Sequence, residues 1–322
     1  MTGEPFQRQP TRDGVLRAAA KVAAILPATP LIPVEIRGRR VWCKAESLQP
    51  IGAFKIRGAW HRLSDLDDAE RTRGVVAVSS GNHAQGVAWA ARRLGIAATI
   101  VMPSDAPEVK LRGTRELGAE VVLYDRPGGQ SRDEVAQALV AESGATLVHA
   151  YGDPWVIEGQ GSAGIEIAEQ LGEQPSRIVA PCGGGGLSSG LALACPDAEI
   201  VPVEPEGWDD MRRSLLAGEI VPVGPNPPPT ACDALQTLAT FPINFAVLKG
   251  RAAPGVAVSE EEVRAAQRFA FSRLHLVLEP GGAAALAAAL AGKVDLDEGT
   301  AIVLSGGNVD PASFAQVIAP AT

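Results

Sequence analysis

The stretch Ile178-Val179-Ala180-Pro181-Cys182-Gly183-Gly184-Gly185-Gly186-Leu187-Ser188-Ser189-Gly190 passes from a short apolar run through four glycines into a helix-compatible segment. A strand that turns at once into a helix is the repeating unit of an α/β sheet. Working outward, the same change recurs along the chain. Strands are predicted at Arg40–Ala45, Val75–Val78, Thr99–Met102, Glu120–Tyr124, Thr146–His149, Ile178–Pro181, Ile200–Val203 and Ala301–Leu304. Between them lie stretches such as Val87–Leu94, with apolar residues at helical spacing. These stretches stop at Gly95, Gly118, Gly144 and Gly172, where a left-handed cap suits glycine.

Runs that are apolar throughout fit a parallel sheet covered by helices on both faces. The chain therefore reads as α/β, with two open, twisted, mainly parallel sheets and flanking helices. The four strands from Val75 to His149 make one compact unit, and the later strands, joined by the N-terminal one, make a larger one. Residues 71–149 are read as a small domain, and residues 1–70 with 150–322 as a large one, with a site between them. Val221–Thr230 carries five prolines and reads as an irregular surface excursion.

Composition narrows the function. Of 322 residues, 46% are apolar and 4% aromatic, so alanine, valine and leucine must fill the core. The net charge of −8, with no basic run, argues against nucleic acid as a partner. Cys43, Cys182, Cys195 and Cys232 show no zinc-ligand spacing and read as reduced thiols of a cytoplasmic protein. The apolar run Ala283–Ala291 is too short to span a bilayer, so no membrane partner is expected.

Three glycine-bearing motifs follow strand ends. In Cys182–Gly190, backbone amides can converge on an anion at a helix N-terminus, with no side chain in the way. Ser188 and Ser189 occupy the place of a dinucleotide fingerprint's last glycine, and no Lys-Ser or Lys-Thr pair follows as in a Walker loop. A lone phosphate fits better, against the plainer reading of a strand–helix turn. Ser79-Ser80-Gly81-Asn82-His83 precedes a helix pattern and reads either as a cap or as a grip for a carboxylate. Leu304-Ser305-Gly306-Gly307-Asn308 closes the set, because ligands of open α/β sheets bind at strand carboxyl ends. Glu279, before Pro280, is read as a helix-start charge.

Lys55 stands apart from these loops. It follows Phe54 and precedes Arg57, between Gly52 and Gly58. A lysine becomes a nucleophile only when unprotonated, which needs a dry pocket or a cationic neighbour. The plainer reading is a snorkelling lysine at a helix start.

The segments GAFKIRGA (Gly52–Ala59), SSGNHAQG (Ser79–Gly86), PCGGGGLSSG (Pro181–Gly190), EPGGAAAL (Glu279–Leu286) and LSGGN (Leu304–Asn308) occur in this order. The set resembles the fold-type II, tryptophan synthase β-like pyridoxal-phosphate enzymes, in particular the threonine/serine dehydratase and serine racemase group. The resemblance runs from about Leu16 to Pro311. It implies that Lys55 holds pyridoxal 5′-phosphate as a Schiff base with Phe54 beside the ring. Gly183, Gly184, Gly185, Gly186 and Leu187 would cradle the phosphate, Asn82 the ring hydroxyl and Ser305 the ring nitrogen. Ser79, Ser80, Gly81, Asn82 and His83 would hold the substrate carboxylate, and Ser80 matches the racemase acid/base opposite Lys55. Glu204, the Trp208 carbonyl and Asp210 match a divalent-cation segment, and oxygen donors suit Mg²⁺ or Ca²⁺; the alternative is a solvated acidic loop.

The resemblance further implies a homodimer that acts on a small amino acid. The expected reaction is β-elimination from L-threonine and/or L-serine to a 2-oxo acid and ammonia. The alternatives are a serine racemase, a 3-hydroxyaspartate dehydratase or racemase (Arg132 matches a racemase arginine by position), and a non-catalytic binding protein on the same scaffold. Ile51 and Ala53 replace two hydroxyl residues common near the lysine, which bears on substrate preference. The chain ends soon after Asn308, so no inhibition by isoleucine is expected.

Overall fold

The computed structural model describes residues 8–106 and 108–319. Residues 1–7 and 320–322 of the expected large domain, and residue 107 of the small one, lie outside the described residues. The first strands are β1 (Leu31–Ile36), β2 (Arg39–Lys44), β3 (Val75–Val78), β4 (Ala98–Pro103) and β5 (Glu120–Tyr124). They are followed by β6 (Thr146–Leu147), β7 (Arg177–Pro181), β8 (Glu199–Pro205), β9 (Val256–Val258) and β10 (Thr300–Val303).

Two sheets form. One has the order β5-β4-β3-β6 and is parallel throughout. The other runs β1-β2-β10-β7-β8-β9, parallel except for the β1–β2 hairpin. Both are covered on two faces, and the period-2 alternation of strand side chains divides the core accordingly. In the smaller sheet Val75, Ala77, Ile100 and Met102 pack on one side, Val76 and Val101 on the other. In the larger sheet Val179, Val201, Val203 and Ile302 face one layer, and Ile178, Ala180, Ile200, Ala301 and Val303 the other. Alanine does much of the filling, as the low aromatic content required: Ala283 to Ala289 in the Pro280–Leu290 helix are fully buried.

The expected strands form, with ends shifted by a residue or two. Thr146–His149 is the largest departure, because the pairing stops at Leu147 and His149 turns toward the cleft. Two strands were not anticipated. β1 carries Pro33, which argues against a central strand but is tolerated here because β1 pairs on one side only. β9 is three residues long at the opposite edge. No element forms in Val221–Thr230. Gly95, Gly144 and Gly172 cap their helices in the left-handed conformation. No helix among the described residues is long and apolar enough to cross a membrane, and the four cysteines are buried and free.

Candidate active site

The loops that leave β3, β7 and β10 at their carboxyl ends line one cleft of about 1430 Å³ between the two sheets. Phe54, Lys55, Ser79, Ser80, Gly81, Asn82, His83, Gly183 through Leu187 and Ser305 all border it. Of the residues in the acidic segment, Trp208 borders the cleft while Glu204 and Asp210 are buried apart from it.

Lys55 is the first residue of the Lys55–Ser64 helix. Its Nζ donates to the Ala150 carbonyl at 2.7 Å and lies 5.2 Å from the Phe54 ring centre. Desolvation lowers its pKa to about 8. The cationic neighbour suggested by Arg57 plays no part in that shift. Residues two apart on a helix face different ways, and Arg57 is fully buried among carboxylates. It donates to both Glu46 oxygens at 2.7 and 2.8 Å and to both Glu166 oxygens at 2.7 Å. Lys44, 2.7 Å from Glu166, completes a group of two cations and two anions. The reactive amine is tuned by dryness.

The glycine loop has no room for side chains. A Cβ on Gly184 would lie 2.2 Å from the Tyr151 ring, and one on Gly185, where φ is +91°, would lie 2.6 Å from Met211 Cε. Asn244 pins the loop from behind, donating through Nδ2 to the Gly184 carbonyl at 2.6 Å and the Tyr151 carbonyl at 2.9 Å. Sequence reasoning missed Asn244; nothing around Pro242-Ile-Asn244 marks it as a partner of a loop 60 residues away. The Gly186–Ala194 helix starts within the loop, so its free amides and positive dipole end offer a place for an anion.

Opposite lies the Ser79–His83 turn. Ser79 Oγ accepts from the Gly81 amide at 3.1 Å, and Asn82 opens the Asn82–Leu94 helix. His83 is buried, with Nε2 2.9 Å from the Val148 carbonyl, and burial with Lys55 nearby pushes its pKa down to about 3. It is a neutral brace between elements. Its ring is therefore poorly placed to grip a carboxylate by charge. His149 is likewise kept neutral, at about 4, by burial and Lys55; its Nδ1 accepts from the Gly152 amide at 2.8 Å.

Glu279 departs from expectation. It is not a solvated helix-start charge but is 5% exposed, with Oε1 accepting from Asn82 Nδ2 at 2.6 Å. Asn82 Oδ1 in turn accepts from Asn308 Nδ2 at 2.7 Å. Ser305 borders the same part of the cleft, and its carbonyl accepts from the Phe54 amide at 3.1 Å.

The acidic segment is not a solvated loop either. Glu204 and Asp210 are buried, and Glu204 accepts from the Met211 and Arg212 amides at 2.9 and 2.8 Å. Neither Asp210 oxygen has a well-formed hydrogen bond, although the Thr240 amide holds its pKa down in part. Burial, with Asp210 beside it, raises the Glu204 pKa well above the usual range, and burial brings Asp210 to about 7. Two neighbouring buried carboxylates without a paired cation of their own fit a divalent cation with oxygen donors. No cluster of three His, Cys, Asp or Glu occurs among the described residues, so such a site would draw its other ligands from carbonyls or water.

A desolvated amine facing an amide-lined anion cup is the equipment of an enzyme that holds a phosphorylated aldehyde cofactor on a lysine. Comparison with known proteins gives that class its name. Residues 24–306 match the family described as pyridoxal-phosphate dependent enzyme, and the chain belongs to it. It is 38% identical to the L-threo-3-hydroxyaspartate ammonia-lyase of Saccharomyces cerevisiae over 318 residues, covering 96% of each chain. It is 41% identical to the L-threonine ammonia-lyase of Thermotoga maritima over 292 residues, 88% of this chain and 71% of that one. The solved structure of maize serine racemase superposes with a TM-score of 0.90 at 34% identity, covering 96% of this chain and 97% of the other.

Proposed function

We propose that this protein is an ammonia-lyase that eliminates water from a β-hydroxy amino acid, L-threonine and/or L-serine in the first instance. A 2-oxo acid and ammonia are the products. The observation that carries the reading is the half-buried Lys55 amine, its pKa lowered to about 8 by desolvation, in a cleft shared with the glycine cup.

Lys55 is the residue to hold the aldehyde carbon of pyridoxal phosphate, and the amides of Gly183 to Leu187 its phosphate. Asn82 is assigned to the ring oxygen, Ser305 to the ring nitrogen and Phe54 to the ring edge. When bound, the cofactor supplies the sink for the electron pair left by the broken Cα–H bond. The substrate carboxylate is assigned to the Ser79 and Ser80 hydroxyls and the Ser80 amide, just before the Asn82–Leu94 helix, where the dipole favours an anion. That grip fixes the Cα–H bond toward one wall. With its pKa lowered to about 8, Lys55 carries a growing neutral fraction as pH rises above 7, and in that form it is assigned removal of the α-proton. Ser80 borders the same cleft and is assigned the proton of the other face. Glu204, the Trp208 carbonyl and Asp210 are assigned a Mg²⁺ or Ca²⁺ ion. The family resemblance also supports a cytoplasmic homodimer, for which sedimentation is the check of assembly.

A second reading, elimination from 3-hydroxyaspartate, has its own support in the yeast relative and in the charge of the cleft wall. Lys110, Arg126 and Arg132 border the cleft. Lys110 and Arg126 are tied to Asp233 and Asp105 at 2.6 and 2.7 Å, whereas the Arg132 contact with Asp133 is 3.6 Å. Arg132 is thus the wall cation best suited to a second substrate carboxylate.

The test is 2-oxo acid release from L-threonine, L-serine, D-serine and L-threo-3-hydroxyaspartate, with serine enantiomers resolved in the same samples. Release from at least one L-substrate, lost in Lys55→Ala, is expected. Undiminished release by Lys55→Ala would overturn the assignment of the amine. A preference for 3-hydroxyaspartate that Arg132→Met removes would select the second reading.

A further inference from the structure

Glu279 stands at the start of the Pro280–Leu290 helix, yet its side chain caps nothing there. It reaches across the cleft wall to Asn82, 197 residues earlier in the chain. The approach requires a glycine at 306, because a Cβ built there would lie 2.1 Å from Glu279 Oε1. Asn308 holds the other end of the same amide: its Nδ2 bonds Asn82 Oδ1 at 2.7 Å and the Ile51 carbonyl at 2.8 Å. A carboxyl on one side and an amide donor on the other fix which way round Asn82 sits. One N–H of Asn82 is then left for the cleft.

We propose that Glu279 is a positioning residue: it holds Asn82 so that this second N–H meets the ring oxygen of the bound cofactor, and its own charge lies in series with that contact. The inference rests on the assignment of Asn82 above and deepens it.

Glu279 is almost wholly buried, and burial pushes its pKa up to about 7 while the Asn82 hydrogen bond pulls it back. The charged groups that face it are few. Asp233 raises the value and Lys110 lowers it, and the two pair with each other at 2.6 Å, so their effects oppose. Cys232 also feels Glu279, and burial keeps its thiol protonated. The loop Ser305–Val309 carries no titratable side chain. Glu279 is therefore protonated below about pH 7 and ionised above it, next to the point where Asn82 meets the cofactor.

The experiment uses the holoenzyme, with Glu279→Gln and Glu279→Ala beside the wild type. The visible absorption of bound pyridoxal phosphate is followed from pH 6 to 8.5, cofactor affinity is measured by titration of the apoprotein, and kcat and KM are measured separately. In the wild type the absorption changes with a midpoint near 7, and Glu279→Gln, which keeps the geometry and removes the charge, flattens that step. Glu279→Ala weakens cofactor binding about tenfold, the effect of losing one charge-assisted hydrogen bond. It lowers kcat while KM stays within about twofold, since Asn82 serves the cofactor and not the substrate. Retention of the pH step in Glu279→Gln, or wild-type cofactor affinity in Glu279→Ala, would overturn the proposal. The reading of the enzyme is scored separately by Lys55→Ala, which must abolish the visible band whatever Glu279 does.

Discussion

Asp210→Asn probes the buried carboxylate pair directly. Asp210 is 1% exposed and Glu204 fully buried. Glu204 has two backbone donors, but the Asp210 oxygens have no well-formed hydrogen bond. Raising a carboxyl from its ordinary 3.8 to about 7 costs about 4 kcal/mol once it is fully ionised in the folded protein. The sign is fixed by the direction of the shift. The folded protein holds a proton that the unfolded chain has already lost, so stability falls as pH rises from about 4 through about 7. Relaxation and water entry reduce the figure, leaving about 2–4 kcal/mol. Unfolding entropy scales at about 2.1 cal/mol/K per residue, so a chain of 322 residues gains roughly 3–6 °C in melting temperature.

The assay is thermal melting of the apoprotein in chelator between pH 5 and pH 8.5. Asp210→Asn should melt higher than the wild type at pH 8.5, and the difference should shrink steadily toward pH 5. Millimolar Ca²⁺ or Mg²⁺ should then raise the wild type alone at pH 8.5, by relieving the same repulsion. An Asp210→Asn protein that melts lower at pH 8.5, or by an amount independent of pH, refutes the electrostatic reasoning. A wild type indifferent to both cations refutes the metal assignment and leaves the carboxylate argument standing.

Gly184→Ala forces a methyl group to within 2.2 Å of the Tyr151 ring; cofactor affinity should drop at least about tenfold, measured by absorption titration, and an unchanged affinity would mean the loop does not hold the phosphate. Arg57→Met leaves Glu46 and Glu166 buried with Lys44 as their remaining cation. Urea unfolding should show a loss of about 3–5 kcal/mol, and a loss under about 1 kcal/mol would show that the group rearranges freely. In the apoprotein, acylation of Lys55 by an amine-reactive ester should rise with a midpoint near pH 8, because only the neutral amine reacts. A midpoint at the ordinary lysine value would show that the cleft is wet.

What the sequence made legible was local. β3, β7 and β10 could be read because a strand buried on both faces is apolar throughout, and their loops because glycine is needed wherever backbone approaches a ligand. β1 and β9 could not, since an edge strand tolerates proline and need only pair once. The polar partners were hidden for another reason. Glu279 meets Asn82 across 197 residues, Arg57 meets Glu166 across 109, and Asn244 meets Gly184 across 60. No spacing rule connects side chains so far apart, and each of these residues, taken alone, reads as an ordinary surface group.

Arg57 shows why that matters for the chemistry. Two residues after Lys55, it invites the reading of a cation that depresses the lysine's pKa. Its guanidinium instead turns into the protein and is neutralised by Glu46 and Glu166, while Lys44 balances the second negative charge. The four charges sum to zero and sit on β2, the Glu46–Leu48 turn, the Lys55–Ser64 helix and the Pro154–Leu171 helix. They bind the lysine's helix to the helix that begins just after Ala150, the carbonyl that receives the Lys55 amine. Donor and acceptor are thus anchored by one rigid frame, and the amine is left to the dry wall of the cleft. A charge placed two residues away sets where Lys55 stands, and desolvation sets how basic it is.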